Sequence, residues 1–400
     1  MPDLTNEANI LAALDAAIVR TGYVGDTRPP KLVFLASHTR FLDRPVSVLI
    51  KGPSGCGKSH ALSTGLKFIP GHAFEMLHGM SEKALPYSNL DLKHKHLAIQ
   101  EAAGMASGSG AIFLRQLLSE GRLRYMTVQS TEEGLESVEL TMEGPTGLFM
   151  TTTANSLHPE DESRMLSWHM DESAGLIRQV LMSQALGLGV EPTEDELEEW
   201  HFLSDLMEEA PKDVEIPFAP EIVEGLPVTH HKVQRDFPQV LALIKAHALL
   251  HYCTGHRERG DASGAVIADL RDYRAVRDLV EDTLAQGLEV EVRESVAEVV
   301  ETVDYLTHEA NQRGDVLPPN CYHTASQIDL VEYLGRDGAV ISRNVRKAIE
   351  DGYLVDDNPG QGRLSQLRKG ERDLPAGRVL PLPEELARVT KKPVGELLPA

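Results

Sequence analysis

Cysteine is scarce in this chain. There are three, Cys56, Cys253 and Cys321, far apart and in no C-x-x-C arrangement, so neither a disulfide framework nor structural zinc is indicated. Long apolar runs are also missing. No stretch approaches the ~20 residues that a membrane-spanning helix needs, so no membrane partner is expected. The opening residues, MPDLTNEANILAALDAAIV, have neither a basic leader region nor a small-residue cleavage site and read as a helix rather than a signal peptide. The expected location is the cytoplasm. Positive charge is short as well: 39 Lys and Arg against 61 Asp and Glu leave a formal charge of −22. That excludes a protein coating nucleic acid with its whole surface, and any DNA contact must be local. Residues 191–224 alone carry thirteen acids against Lys212, the pattern of a solvated helix face and loop. What is present is ordinary for a folded protein: 400 residues, 42% hydrophobic and 25% charged, enough for two or three domains.

The most informative stretch is VLIKGPSGCGKSHALS, residues 48–63. An apolar strand pattern runs into Gly52-Pro53-Ser54-Gly55-Cys56-Gly57-Lys58-Ser59, and a helical pattern follows. The motif G-x-x-x-x-G-K-[ST] thus stands in the strand–loop–helix context it requires. Glycines let backbone N–H groups turn onto phosphate oxygens at the positive end of the next helix. Gly52, Ser54, Gly55, Cys56, Gly57, Lys58, Ser59 and His60 are the candidate contacts to ATP. Lys58 reaches the β- and γ-phosphates, and the Ser59 hydroxyl holds Mg²⁺. The candidate for the accompanying metal-and-water strand is HKHLAIQEAAGM (94–105), an apolar run followed by Gln100-Glu101. A carboxylate at a strand end can orient and activate a water, the role expected of Glu101. Gln100 stands where an Asp is usual and would hold a metal-bound water more weakly. Glu101 also reads as the capping carboxylate of the next helix.

Residues 5–20 look helical and GYVGDTRPP breaks them. From Pro45 to about Trp168 apolar runs alternate with helical segments, an α/β sheet with helices packed on it. From about Asp171 to Gln286 the pattern is helical throughout, with the acidic stretch inside it. Tyr125–Ser130 and Ser137–Met142 alternate around TEEGL and make a β-hairpin, followed by the strand GLFMTTTAN. The last 28 residues carry five prolines and are expected to lie extended.

A hairpin inserted ahead of a strand ending in Asn resembles the pre-sensor-1 group of AAA+ ATPases, and LRQLLSEGRLRYMTV is similar to the entry to that hairpin in MCM-type helicases. ESRM (162–165) resembles the place of that group's arginine finger, and HHKVQRDFPQVLALIKAHALLH (230–251) its lid helix. The likeness covers roughly residues 45–287 and extends to ATPases of phage and mobile-element replication modules. It implies that Asn155 positions the attacking water, that Arg164 reaches a neighbour's γ-phosphate, and that Arg235 touches phosphates from the lid. It therefore implies a homo-oligomer, ring or filament. Read from the residues alone, Asn155 is also a turn cap, Arg164 a surface ion pair and Arg235 a partner for Asp236. Two features depart from the MCM pattern: little room for a helix-2 insert, and Glu132 and Glu133 at the hairpin tip, where a DNA-gripping hairpin wants bases. Arg122 and Arg124, at the hairpin's base, are the better candidates for DNA contact.

TASQIDLVEYLGRDGAVISRNVRKAIEDGYLVDDNPGQGRLSQLRKG (324–370) follows a separate logic. Ile328, Leu330, Val331 and Leu334 form an apolar stripe; Gly335 turns the chain. A second helix is expected to bury Val340, Val345 and Ile349 and to expose Arg343, Arg346 and Lys347, before a hairpin carrying Arg363 and Arg368. This matches a winged helix-turn-helix, a DNA reader that also serves in places as a protein-docking module. Arg336 to Lys369 holds seven bases against five acids, a local inversion that favours DNA. The expected division is an N-terminal helical segment (1–44), an AAA+ α/β core (45–170) with a hairpin insert (122–142), a helical lid (171–287), a winged helix (288–372) and a Pro-rich tail (373–400). Two functions compete: an ATP-driven, helicase-like motor on DNA, or a nucleotide-gated DNA-binding regulator that engages a replication or regulatory protein without unwinding.

Overall fold

The apolar runs on either side of the phosphate-loop motif become strands of one parallel sheet. The computed structural model describes residues 4–81, 83–100, 109–131, 134–154, 158–227, 232–260, 263–287, 294–309, 324–358, 364–370 and 378–389. The chain divides into two units, Met1–Gly287 with Val379–Ala400, and Leu288–Arg378. The first runs α1 (Ile10–Arg20), α2 (Arg28–His38), β1 (Val48–Lys51), α3 (Lys58–Lys67), β2 (Phe74–Leu77), α4 (Ala84–Tyr87), β3 (Lys95–Ile99), α5 (Ser109–Glu120), β4 (Arg122–Thr131), β5 (Gly134–Glu143), β6 (Thr146–Thr152), α6 (Pro159–Glu162) and β7 (Leu166–His169).

The sheet order is β2-β3-β6-β1-β7, with every neighbouring pair parallel. All residues of β1 and β6 are buried, as expected for strands covered on both faces. After β1 the chain moves to the far edge, returns through β3 and β6, and then crosses to the other side of β1. That reversal opens a crevice at the carboxyl end of β1, where open α/β sheets bind ligands. The first 44 residues pack as part of this unit. A Cβ on Gly65 of α3 would lie 2.6 Å from the Pro30 carbonyl oxygen and 2.8 Å from Val33 Cβ, so only glycine lets α3 sit against α2.

β4 and β5 pair antiparallel from Arg122↔Glu143 to Thr131↔Gly134, a longer hairpin than the alternation predicts. Leu123 and Met142 at its base join Phe113 and Leu117 of α5 in the core. Tip residues 132–133 lie outside the described residues.

Beyond β7 come α7 (Ala174–Leu186), α8 (Glu194–Glu209), β8 (Val214–Glu215), α9 (Ala219–Glu224), α10 (Val233–Cys253), β9 (Val266–Ile267) and α11 (Leu270–Gly287). The region expected to be helical throughout therefore also holds a small parallel pair, β8 with β9. The acidic stretch forms α8, opened by a capping box between Thr193 and Glu196, with Trp200, Leu203 and Met207 buried. Trp200 meets Phe34 and Phe68 edge-on at 5.5 Å.

A buried polar knot holds α10 to α11. Asp272 accepts from Arg257 Nε at 2.8 Å and NH2 at 2.7 Å, and its Oδ1 lies 2.7 Å from His247 Nδ1. Burial alone would raise its pKa, but the bonds and charges of His247 and Arg257 outweigh that and hold it below the usual carboxylate range. Among the described residues His247, His251 and Asp272 converge closely enough for a metal ion. Arg257 already engages both carboxylate oxygens, so a cation is in place there.

The second unit contains α12 (Glu294–Asp304), which continues as a π-helical turn over Tyr305–Glu309, then α13 (Gln327–Leu334), α14 (Gly338–Glu350), β10 (Leu354–Asp356) and β11 (Leu367–Lys369). Ser326 and Asp329 form a capping box, Gly335 ends α13 at φ 62°, and the Asp337 carboxylate caps α14. β10 and β11 pair antiparallel, and Leu367 also bridges to Ala325. The buried faces differ from the expected stripes. Ile328 is 63% exposed, and Val340 and Ile349 are each 37% exposed, while Leu330, Ile341, Asn344, Val345 and Ala348 are buried. The reason is α12: Val299 and Val303 share a core with Ile341 and Val345, and Asn344 Nδ2 donates to the Ser295 carbonyl at 3.2 Å. That rotates α14 relative to the face its own apolar residues suggest.

The Pro-rich tail corrects another expectation. Rather than lying extended, its described residues, 378–389, form α15 (Pro383–Val389) and bury Leu380 and Leu386, and the remainder of the tail lies outside the described residues. Tyr273 Oη donates to the Pro381 carbonyl at 2.7 Å, and the Glu281 carboxylate accepts from Leu380 N at 3.0 Å. No helix among the described residues is long and apolar enough to cross a membrane.

Replacing Asp272 with Ala strands Arg257 and His247 in the interior without their shared acceptor. The expected loss is about 3–5 kcal/mol, read from urea unfolding of the full chain.

Candidate functional site

The phosphate loop leaves β1 at Gly52, whose φ is 151°. A Cβ there would lie 2.6 Å from Cys56 Sγ, so glycine is what lets the loop fold back on itself. Gly57 opens α3 in the left-handed region at φ 91°. Lys58 is nearly buried, and its amine donates to the Pro53 carbonyl at 2.6 Å, with Cys56 Sγ at 3.9 Å. The lysine thus occupies the hollow its own loop encloses. First-turn N–H groups of a helix have no intrahelical acceptor, so α3 offers donors to an anion at Lys58 and Ser59. The hollow, the cation and the helix terminus together suit a polyphosphate; Ser54, Gly55 and Cys56 supply its rim.

His60 stacks on Tyr23, with ring centroids 5.3 Å apart and planes 16° from parallel. Burial and the Lys67 charge lower the His60 pKa, with Glu191 opposing them. Tyr23 is itself buried, which pushes its hydroxyl pKa up. A tyrosine 37 residues upstream carries no motif, and only the placement of the N-terminal segment beside α3 brings it to the site.

Gln100 follows β3, its N–H bonded to the Leu77 carbonyl at 3.0 Å. Its carboxamide spans Ser63 Oγ at 3.4 Å and His78 Nδ1 at 3.3 Å. Ser63 lies one helical turn after Ser59, so Gln100 reaches the same side of α3 as the candidate metal ligand. One strand, β6, separates β3 from β1, a lateral gap of about 10 Å at the carboxyl edge, enough for a phosphate and water. Glu101 and Asn155 lie outside the described residues.

Arg164 and Arg235 meet at a different place. Arg164 precedes β7, whose first residue Leu166 pairs with Val48, the first residue of β1. It stands at the edge opposite the phosphate loop. Its Nε donates to Ser119 Oγ at 2.8 Å, NH1 donates to the Glu160 carbonyl, and NH2 lies 3.4 Å from Glu160 Oε1; the side chain is 23% exposed. Arg235 donates to Ser163 Oγ rather than pairing with Asp236. The same short segment binds two further cations: Arg115 pairs with Glu160 and Asp161, and the buried Lys51, last residue of β1, pairs with Glu162. Lys51 is a neighbour of the loop that the motif conceals, since it reads as the polar end of an apolar strand.

Asp236, beside Arg235, is 4% exposed, and neither carboxylate oxygen has a hydrogen-bond partner. Lys232 Nζ is 3.8 Å away. Burial pushes its pKa up to about 6, Lys232 opposing.

The candidate DNA contacts divide. Arg124 is exposed but paired with Glu139, and Arg122 stands opposite Glu143 across the hairpin. In the second unit Arg336 pairs with Glu298, Lys347 with Asp351 and Arg368 with Asp357. Arg343 and Arg346 are exposed on α14, and among the described residues no carboxylate pairs with them. Arg363 lies outside the described residues.

Residues 7–196, just under half of the chain, match a family model described as the MTBMA_p00010 P-loop domain. Together with the parallel sheet and the loop geometry, this match fits a P-loop NTPase core over residues 7–196. No curated protein matches the chain. Solved structures similar to it include an active helicase, Cch of SCCmec type IV, at 13% identity and a TM-score of 0.38, covering 93% of this chain and 71% of that one. Another is the ORC1 protein of Aeropyrum pernix in complex with DNA, at 11% identity and a TM-score of 0.26, covering 93% of each chain. A third is NtrX of Brucella abortus in complex with ADP, at 14% identity and a TM-score of 0.29, covering 84% of this chain and 71% of that one. Likeness of this degree transfers neither activity nor partner.

The Asp236 pKa of about 6, above the ordinary 3.8, means that folding is penalised where the group must ionise. Its contribution is most favourable below pH 4 and is lost as pH rises through 6. Asp236→Asn should therefore gain stability over wild type between pH 4 and 6, levelling off near 2–3 kcal/mol above that, roughly, as measured by denaturant titration across pH.

Proposed function

We propose that the chain is an ATP-binding and ATP-hydrolysing AAA+ motor, helicase-like, which works on DNA as a homo-oligomer in the replication of a phage or mobile element. The observation that carries this reading is the glycine-built phosphate loop at the reversal point of an all-parallel sheet, with Lys58 already inside it. Ser59, and Gln100 through a water, would hold Mg²⁺, which would supply charge neutralisation at the phosphates. Lys58 binds the same oxygens, Glu101 takes the proton of the attacking water, and Asn155 orients that water. Arg164 serves a neighbouring copy, because it stands at the sheet edge away from its own loop. To do so it lets go of Ser119 and Glu160. Arg235, hydrogen-bonded one residue away at Ser163, acts on the same foreign phosphates.

For the second unit the proposed module is a winged helix-turn-helix. The α13–turn–α14 pair followed by the β10–β11 hairpin supports this, with Arg343 and Arg346, which pair with no carboxylate among the described residues, approaching DNA from α14 and Arg363 resting on its backbone. A second reading draws on the first-unit hairpin. Arg124 is spent on Glu139 and Arg122 faces Glu143, a neutral surface with little grip on a phosphate backbone. On that reading the chain is a nucleotide-gated DNA-binding regulator that does not unwind. DNA-stimulated ATP hydrolysis accompanied by strand separation supports the motor; DNA binding with neither supports the regulator.

Lys58→Ala should weaken binding of a fluorescent ATP analogue by about 10- to 100-fold, the loss of a charged hydrogen bond worth about 1.5–3 kcal/mol. Glu101→Gln should keep that affinity and lower turnover by about 100-fold or more. A variant that binds and hydrolyses ATP like wild type would remove Glu101 from the mechanism. Arg343→Ala with Arg346→Ala should weaken DNA binding and flatten the plot of log affinity against log salt by about 2, roughly one per lost phosphate contact. An unchanged slope places DNA elsewhere.

A further inference from the structure

We infer that α7 is the surface on which a second copy of this chain docks; the inference rests on the oligomeric reading above and gives it a location. α7 is capped by Ser173 at its start and by Gly187 at its end, and Arg178 is its one charged residue. Its inner side is fixed. A Cβ on Gly25 would lie 2.8 Å from Leu176 Cδ1, and Ser183 is buried. Its outer side is uncovered and carries two pairs of apolar side chains. Ile177 and Leu181 lie on one flank of that side and Met182 and Leu186 on the other, with Arg178 and Ala185 between them, and Leu188 and Val190 follow the cap; all six large apolar side chains are more than half exposed, from 55% at Ile177 to 74% at Val190.

This is no frayed end. Val190 N donates to the Arg20 carbonyl at 2.7 Å. Side chains at Gly22 or Gly189 would collide with the facing backbone, so two glycines permit this close seat. Six large apolar side chains within fourteen residues are thus left exposed on one capped segment.

The position of α7 argues for a second copy as the occupant. The helix follows Met170, whose side chain lies over Gly52 and would sit 3.9 Å from a Cβ on Gly57. The turn it rests on carries Tyr23, stacked on His60. α7 therefore flanks the phosphate-loop side of the unit. Arg164 and Arg235 stand at the opposite edge, and among the described residues no arginine hydrogen-bonds residues 52–59. Docking one copy's arginine edge against the next copy's α7 brings guanidinium groups to a phosphate loop that is contacted by none among the described residues of its own chain. Such an interface joins two different surfaces, head to tail, and so builds rings or filaments rather than closed pairs.

The test uses the full chain with a non-hydrolysable ATP analogue and Mg²⁺, and measures mass by light scattering and mass photometry across concentration. Wild type should assemble. Leu181→Asp and, separately, Ile177→Arg should each raise the concentration for half-assembly by at least about tenfold, as expected for the centre of an apolar interface. Both substitutions fall on exposed positions, so melting temperature and monomer affinity for a fluorescent nucleotide should stay at wild-type values. An oligomer that survives both substitutions overturns the placement on α7 and leaves the motor reading intact. Wild type that remains monomeric at every concentration and with every nucleotide overturns both.

Discussion

Parallel strands bring all their carboxyl ends to one edge, and the chemistry of this chain is organised by that constraint. β1 lies inside the sheet, flanked by β6 and β7, so the loop that leaves it emerges into a crevice rather than at a border. The loop then has to reverse within a few residues, which Gly52 allows because no Cβ stands between it and Cys56. Lys58 and Ser59 follow at the start of α3, and Gln100 arrives on the same edge from β3. The phosphate-loop site depends on the sheet's direction before it depends on any one side chain.

The opposite edge has its own population. Arg164, Arg235 and Arg115 converge on residues 160–164, all held by hydrogen bonds or ion pairs within the chain. A strongly acidic protein thus keeps several guanidinium groups on one border of its first unit, and on α14 two, Arg343 and Arg346, that pair with no carboxylate among the described residues. Net charge says little about where a chain of this size meets anions; the pairing of individual bases says more.

What the sequence made legible was whatever is local. The phosphate loop, the hairpin from β4 to β5 and the turn between α13 and α14 each announce themselves through glycines, alternation or caps within some twenty residues. Features set by tertiary packing were not legible. Which side of α14 is buried depends on α12, and so Asn344 lies inward while Val340 and Ile349 do not. The tail's prolines pointed to an extended segment, yet Leu380 and Leu386 find cover beside α11 and a helix forms. Tyr23 on His60 and Lys51 on Glu162 needed the topology, because nothing in either partner's immediate neighbours marks it. Glu101, Asn155 and Arg363 keep their standing as readings from the sequence.

Five consecutive residues, Glu160 to Arg164, touch the end of the phosphate-loop strand through Lys51, the helix leading into the hairpin through Arg115 and Ser119, and the long helix α10 through Arg235. Shifting this peptide by the width of a single hydrogen bond disturbs three elements at once. The end of β1, the hairpin's leading helix and the helical region beyond β7 consequently share one short peptide as their common support.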